Sequence, residues 1–178
     1  MLERRAQLYA GVPVYGIRTG EASGPTQTGR LRFNIAFLAE RLVHATDWAQ
    51  TQPDLRQLGV GYFGASTGGG AALVAAAERP EAVRAVVSRG GRPDLAGSAL
   101  PRVQAPTLLI VGGRDLPMID LNEKALRQLS GEARLEVVPA ATHLFEEPGA
   151  LDRVAQLARD WLLRFLTSVD CPAQSDAA

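Results

Sequence analysis

Gly64-Ala65-Ser66-Thr67-Gly68 is a Gly-x-Ser-x-Gly pentapeptide between an apolar run that starts at Val60 and an alanine-rich run from Ala71 to Ala77. A strand, a tight turn and a helix in that order would hold a serine hydroxyl exposed on a strained elbow, as a nucleophile requires. Gly64 and Gly68 are expected to be small because a Cβ at either would collide with neighbouring backbone. Thr67 follows the serine, and its backbone N–H can serve a developing oxyanion, helped by the positive end of the helix. The plainer alternative is a Gly-rich turn with Ser66 as a helix N-cap. A phosphate cradle fits less well. The Gly-Lys-Ser/Thr ending of a P-loop is absent, and Gly68-Gly69-Gly70 does not have dinucleotide spacing.

Two more residues complete a possible acyl-transfer set. Asp115 stands in Gly112-Gly113-Arg114-Asp115, directly after the apolar run Thr107–Val111, and His143 stands in Ala140-Ala141-Thr142-His143-Leu144-Phe145, after Leu135–Val138. His143 would take the proton of Ser66 as the hydroxyl attacks a carbonyl carbon, and Asp115 would fix the imidazole tautomer. Taken singly, each has an ordinary reading: Asp115 as a turn aspartate or N-cap, His143 as a loop residue capping the next segment. That all three should follow different strands by accident is improbable. Asp94, in Arg92-Pro93-Asp94, is a rival acid, and Asp115 is preferred because the Gly-Gly-x-Asp turn follows a stronger strand. Arg89 and Arg92 on the same loop could hold an anionic substrate group, or simply be solvated.

The elements that must carry these residues alternate between strand and helix. Leu2 to Tyr9 reads as a short helix and Val12–Ile17 as a strand, with Pro13 favouring an edge. Thr19 to Arg30 reads as loop. From Asn34 to Gln50 a helix is expected, with Ile35, Leu38, Ala39, Leu42, Val43, Thr46 and Ala49 on one face. His44 falls off that face, beside Glu40 and Asp47, and reads as a surface residue. A strand from Gly59 delivers Ser66, and the helix after it stops near Arg79-Pro80. Val83–Ser88 is a buried strand, Arg89 to Leu100 a loop, and Thr107–Val111 the least ambiguous strand. A helix from Ile119 to Leu129, a strand Leu135–Val138 and a helix Leu151–Leu166 come next. Leu151, Val154, Ala155, Leu157, Ala158, Trp161, Leu162 and Phe165 form the broad apolar face of the last one. The pattern means an α/β fold with a mostly parallel sheet flanked by helices, in one domain over residues 1–167 with a frayed tail over 168–178.

The 178 residues carry 19 basic and 19 acidic side chains, with no basic stripe, so neither nucleic acid nor an anionic membrane surface is an expected partner. The lone cysteine, Cys171, allows no disulfide framework, and no apolar run approaches a membrane span; the expectation is a cytoplasmic protein. Two histidines and one cysteine are too few for a zinc site.

Four segments together resemble the dienelactone hydrolase-like branch of the α/β-hydrolase superfamily. They are Gly61–Gly68, Ser88-Arg89-Gly90-Gly91-Arg92-Pro93-Asp94, Val111–Asp115 and Ala141–Gly149, and the likeness extends over roughly Gly29 to Leu166. Members also occur fused behind a phosphoribosyltransferase domain, of which this sequence shows no trace. The resemblance implies a serine hydrolase of esters, lactones or thioesters, with Ser66, Asp115 and His143 as triad, no metal or cofactor, and a small-molecule ester-type substrate. Dienelactone hydrolases proper use a cysteine nucleophile, so serine at position 66 points away from dienelactone itself. The resemblance also implies several strands ahead of Ser66, one followed by a His-Gly oxyanion loop. Met1 to Leu58 offers one strand and no His-Gly pair. The chain therefore reads as a hydrolase shortened at its N-terminus, with an uncovered sheet edge to be closed by Val12–Ile17 or by a second copy in a homodimer. A non-catalytic hydrolase-like binding module is the alternative.

Overall fold

The computed structural model describes residues 7–9, 12–14 and 33–167. Strands β3 (Val60–Ala65), β4 (Val83–Arg89), β5 (Thr107–Gly112) and β6 (Ala133–Val138) form one parallel sheet in the order β3-β4-β5-β6. Parallel neighbours need crossovers, and helices supply them. Helix α1 (Ile35–Thr51) precedes β3, α2 (Thr67–Glu78) follows it, α3 (Leu116–Leu126) follows β5, and α4 (Ala150–Leu166) follows β6. The layers are those expected of an α/β fold.

Why β5 is central can be read from its side chains. All six of its residues are buried, as a strand covered on both faces must be. One face of the sheet packs with α1, α2 and Ala125 of α3, where Tyr62, Val83 and Val86 meet Leu38, Ala39 and Leu73. The other packs with α4, where Ala85, Val87, Leu108, Ile110 and Phe145 meet Val154, Ala158 and Trp161. Asn34 caps α1 by accepting from the Phe37 amide at 3.1 Å. The stripe expected on α1 faces inward at Leu38, Ala39, Val43 and Thr46, whereas His44 is exposed. Thr46 hydrogen-bonds the buried Tyr62 hydroxyl of β3 at 2.6 Å. That bond fastens α1 to the strand that carries the serine, for a net gain of about 1 kcal/mol.

Several local expectations are corrected. Gln7–Tyr9 is a strand (β1), not the end of a helix, and it pairs antiparallel with Val12–Val14 (β2). The two form a sheet of their own. Val12–Val14 therefore does not extend the main sheet, whose margins among the described residues are β3 and β6. The rest of the expected strand to Ile17, the loop Thr19 to Arg30 and the tail from Ser168 lie outside the described residues. The loop expected over Arg89 to Leu100 contains the end of β4 and then a 3-10 helix, Pro93–Arg102, broken at Gly97. Helix α3 begins three residues ahead of the expected Ile119, with Pro117 in its first turn, where a missing N–H costs nothing. On α4 the apolar face is narrower than its sequence suggests, because Leu151 and Ala155 are exposed.

The uncovered part of the sheet is localised. Gly61 lies directly beneath α4: a Cβ there would stand 2.9 Å from Leu162 and 3.0 Å from Leu166. Two residues on, Phe63 points to the same face but is 52% exposed.

Candidate active site

Ser66 leaves β3 with φ 50° and ψ −123°, a conformation that a non-glycine residue holds only when its surroundings impose it. Such strain costs about 1–3 kcal/mol. The turn after β4 opposes it from both sides. Ser66 N–H donates to the Arg89 carbonyl at 3.2 Å, and the Ser66 carbonyl accepts from Arg92 N–H at 3.0 Å. At a net of about 1 kcal/mol each, those two bonds roughly offset the strain, so neither is dispensable. The tightness of the elbow falls on Gly64, where a Cβ would sit 2.3 Å from the Gly68 carbonyl oxygen. The same expectation for Gly68 is wrong: nothing lies within 4 Å of a Cβ built there. The close approaches belong instead to the next two glycines. Gly69 packs against Gly91 and the Ser88 hydroxyl, and Gly70 against the Arg92 carbonyl. Ser88 Oγ, fully buried, fills the space between Gly69 and Gly91.

The acid and histidine loops interlock at the ends of β5 and β6. Gly113 N–H donates to the Val138 carbonyl and Arg114 N–H to the Ala141 carbonyl, both at 2.9 Å. The crossing needs a residue without a side chain at Gly112, since a Cβ there would lie 2.5 Å from the carbonyl oxygens of both Ala141 and Thr142. His143 Nδ1 meets Asp115 Oδ2 at 2.7 Å. With an ionised carboxylate as acceptor, Nδ1 carries the proton and Nε2 is left as the basic nitrogen. The side chain of Asp115 is 15% exposed and that of His143 40%, so the acid is sheltered and the base is reachable. Behind them, Phe145 is fully buried although its φ is 58°. The Thr142 amide donates to Glu147 Oε1 at 3.0 Å. Backbone donation from the amides of Glu147 and Thr142 holds the Glu147 carboxyl below its usual range.

The imidazole lies over the turn that grips the serine: a Cβ on Gly90 would stand 3.6 Å from His143 Cε1. Ser66, Asp115 and His143 thus each follow the carboxyl end of a strand of the sheet (β3, β5 and β6), the edge where open parallel sheets place ligands. No hydrogen bond joins the Ser66 hydroxyl to a described residue, a looseness common in unliganded sites. Thr67 takes the first position of α2. Asp94 is not near the imidazole in any hydrogen-bonded sense. It forms a two-point ion pair with Arg92, at 2.8 and 2.7 Å, and the guanidinium holds its carboxyl below the usual range. Arg92 is thereby engaged rather than solvated, while Arg89 lies 5.4 Å over the Phe145 ring. Among the described residues no group of three His, Cys, Asp or Glu side chains could hold a metal ion, and no helix is long and apolar enough to cross a membrane.

Sequence reading misses the supports of this site. Gly112 is visible as the end of a strand, but not as the place where the histidine loop crosses. Glu147 and Asn122 give no signal, because a lone polar residue in a loop or helix normally faces water.

The model of the dienelactone hydrolase family matches residues 20–169. A crystal structure of a dienelactone hydrolase from Anabaena variabilis is 68% identical, with a TM-score of 0.77, over 79% of this chain and 65% of that one. Est1E of Butyrivibrio proteoclasticus, in a structure with bound ferulic acid, shares the fold at a TM-score of 0.64 and 14% identity, over 75% of this chain and 69% of that one. A curated protein of Mycobacterium tuberculosis named "Putative phosphoribosyl transferase" is 62% identical over 134 residues, 75% of this chain. The chain spans about 30% of that relative's length.

The chain belongs to the dienelactone hydrolase family, with an α/β-hydrolase fold.

Proposed function

We propose that this member of the dienelactone hydrolase family hydrolyses carboxylic esters, lactones or thioesters by acyl transfer through Ser66. His143 Nε2 accepts the hydroxyl proton as Ser66 Oγ bonds to the carbonyl carbon, and Asp115 keeps the imidazole in the tautomer that can do so. The proton then passes from His143 to the leaving group as its bond to carbon breaks. Water, activated by the same imidazole, releases the acyl group from Ser66 and restores the hydroxyl. The Thr67 amide at the head of α2 is assigned to the developing oxyanion. The reaction needs no metal or cofactor, and its substrate is a small molecule. The observation that carries the reading is the 2.7 Å Asp115–His143 bond, with the imidazole beside Gly90 in the turn that grips the strained Ser66.

The test is an active-site-directed fluorophosphonate followed by intact mass measurement. One adduct is expected on the wild type, and none on Ser66→Ala or His143→Ala. A folded wild type that takes up no label would overturn the reading. In that case the non-catalytic binding module becomes the better account, and the exposed Phe63 at the margin of the sheet is what favours it.

A further inference from the structure

Asn122 is a buried polar side chain that the acyl-transfer chemistry does not use. It lies in α3, the helix that begins immediately after Asp115, and it has no solvent exposure. Both protons of its amide nitrogen are committed. One bonds the Met118 carbonyl at 2.8 Å within the helix, and the other bonds the Gly91 carbonyl at 3.1 Å in the turn after β4. Its oxygen is buried with no partner. A side chain that leaves an acceptor unpaired in the interior is a poor choice for stability alone, since a buried unpaired polar atom is costly.

The position of Gly91 explains the choice. Gly91 precedes Arg92, whose amide holds the Ser66 carbonyl, and it follows the Arg89-Gly90 pair, where the Arg89 carbonyl holds the Ser66 amide. It also lies against Gly69 in the first turn of α2, close enough that a Cβ on Gly69 would come within 3.1 Å of its Cα. The path therefore runs from Asp115 through α3 and Asn122 to the Gly91 carbonyl, and on to both backbone groups of the strained serine.

We propose that Asn122 is a positioning residue that sets the register between Ser66 and the Asp115–His143 pair. It does so by anchoring the turn 90–92 to the helix that the acid begins. The proposal rests on the acyl-transfer reading for its effect on rate, but not for its effect on the turn. Asn122→Leu, with the same branching at Cγ but bulkier methyls, removes the donor and the unpaired oxygen together. Asn122→Asp keeps the shape and turns an acceptor toward the Gly91 carbonyl.

Three readouts are taken on each variant and on the wild type: thermal midpoint, fluorophosphonate labelling rate and native-state hydrogen exchange. Asn122→Leu is expected to keep a cooperative melt, to label at least about tenfold more slowly, and to exchange the Ser66 and Arg92 amides at least about tenfold faster. The Leu109 amide, in the central strand, should exchange as in the wild type. On a substrate ester kcat should fall by a similar factor with KM nearly constant, the split expected when ground-state binding is untouched. Unchanged exchange at Ser66 and Arg92 in a folded Asn122→Leu protein would overturn the proposal. So would a lower melting midpoint accompanied by unaltered labelling. If Asn122→Leu does not fold, Asn122→Asp carries the same two criteria. A wild type that never labels, with variants that still loosen those amides, leaves the anchoring role standing and removes only the hydrolase reading.

Discussion

On one side, Asp115 follows β5, an inner strand buried along its whole length, and His143 follows the neighbouring marginal strand β6, but the two loops are tied to each other by backbone bonds. On the other, Ser66 leaves β3, the opposite margin of the sheet, with Phe63 half exposed shortly before it on the same strand. The acid is placed by the interior of the domain, and the histidine by the interlock of its loop with the acid's. The serine is placed by a turn, two hydrogen bonds and the absence of a side chain at Gly64. Local openings are cheaper where fewer buried contacts must break, so the serine side should yield first to any perturbation. The difference shows where a nucleophile's geometry is stored: less in its own strand than in the turn of the next one.

Removing the reacting groups gives the largest effects and tests both sides at once. Ser66→Ala should abolish ester hydrolysis by about 10⁴-fold or more, and Asp115→Asn should lower kcat on the order of 10³–10⁴-fold through the wrong imidazole tautomer. A comparable rate in Asp115→Asn, measured on an aryl ester, would remove the acid from the mechanism.

The two glycine crossings come next. Gly64→Ala and Gly112→Ala each push a Cβ into backbone oxygen, at 2.3 and 2.5 Å. Overpacking of this kind typically costs about 1–3 kcal/mol. In a domain of this size that means a fall in melting midpoint of roughly 2–4 °C per kcal/mol. The contrast is in labelling: Gly64→Ala should disturb Ser66 directly, whereas Gly112→Ala should act through His143. Equal melting points for wild type and Gly112→Ala would show that the acid and histidine loops are not interlocked.

The margin itself is probed by Phe63→Asp. If β3 pairs with a second copy, sedimentation should show a dimer in the wild type that this variant weakens at least about tenfold. A wild type that stays monomeric at high concentration would remove the homodimer. The buried side offers a pH test. Because the Glu147 carboxyl is held below its ordinary value near 4.5, its stabilisation of the histidine loop is complete above that value and is lost as pH falls through the lowered one. The stability gap between wild type and Glu147→Gln should therefore be flat from about pH 5 to 8 and close only under more acidic conditions. A gap that grows on acidification would reverse the assignment.

The smallest effect expected is that of Gly68→Ala. With nothing within 4 Å of the added methyl, and a position inside α2, the variant should be as stable as the wild type or up to about 1 kcal/mol more so. Chemical denaturation measures it, and a clear destabilisation would mean that the space beside Gly68 is closed.

The fold is legible in the sequence wherever a single physical signal dominates. The stripe of α1, the apolar run of β5 and the Gly-x-Ser-x-Gly turn each derive from periodicity or from one required conformation. The 3-10 helix Pro93–Arg102 is not legible, because three residues per turn produce no 3.6-residue stripe, and Pro93, Gly97 and Pro101 all read as breakers. The β1 strand reads as helix because three residues carry too little pattern to separate the two. Position 68 misleads for a different reason. A motif names which residues are small, but only the folded chain shows which of them are crowded. Asn122 is invisible because its importance lies entirely in what it touches, 31 residues away.

The triple contact of Gly69, Ser88 and Gly91 makes the order of mutations matter. A methyl on Gly91 would lie 1.9 Å from Ser88 Oγ but 3.2 Å from Ser88 Cβ. Alanine at 91 therefore requires the Ser88 hydroxyl to turn aside, and becomes nearly tolerable once position 88 has lost its hydroxyl. Drift through these positions has a favoured direction: loss of the hydroxyl at 88 opens 91, and a methyl at 91 then hinders the return of serine to 88. Lineages descending from such a chain are expected to carry a side chain at 91 more readily in company with a smaller residue at 88, a history written into the packing beneath the elbow.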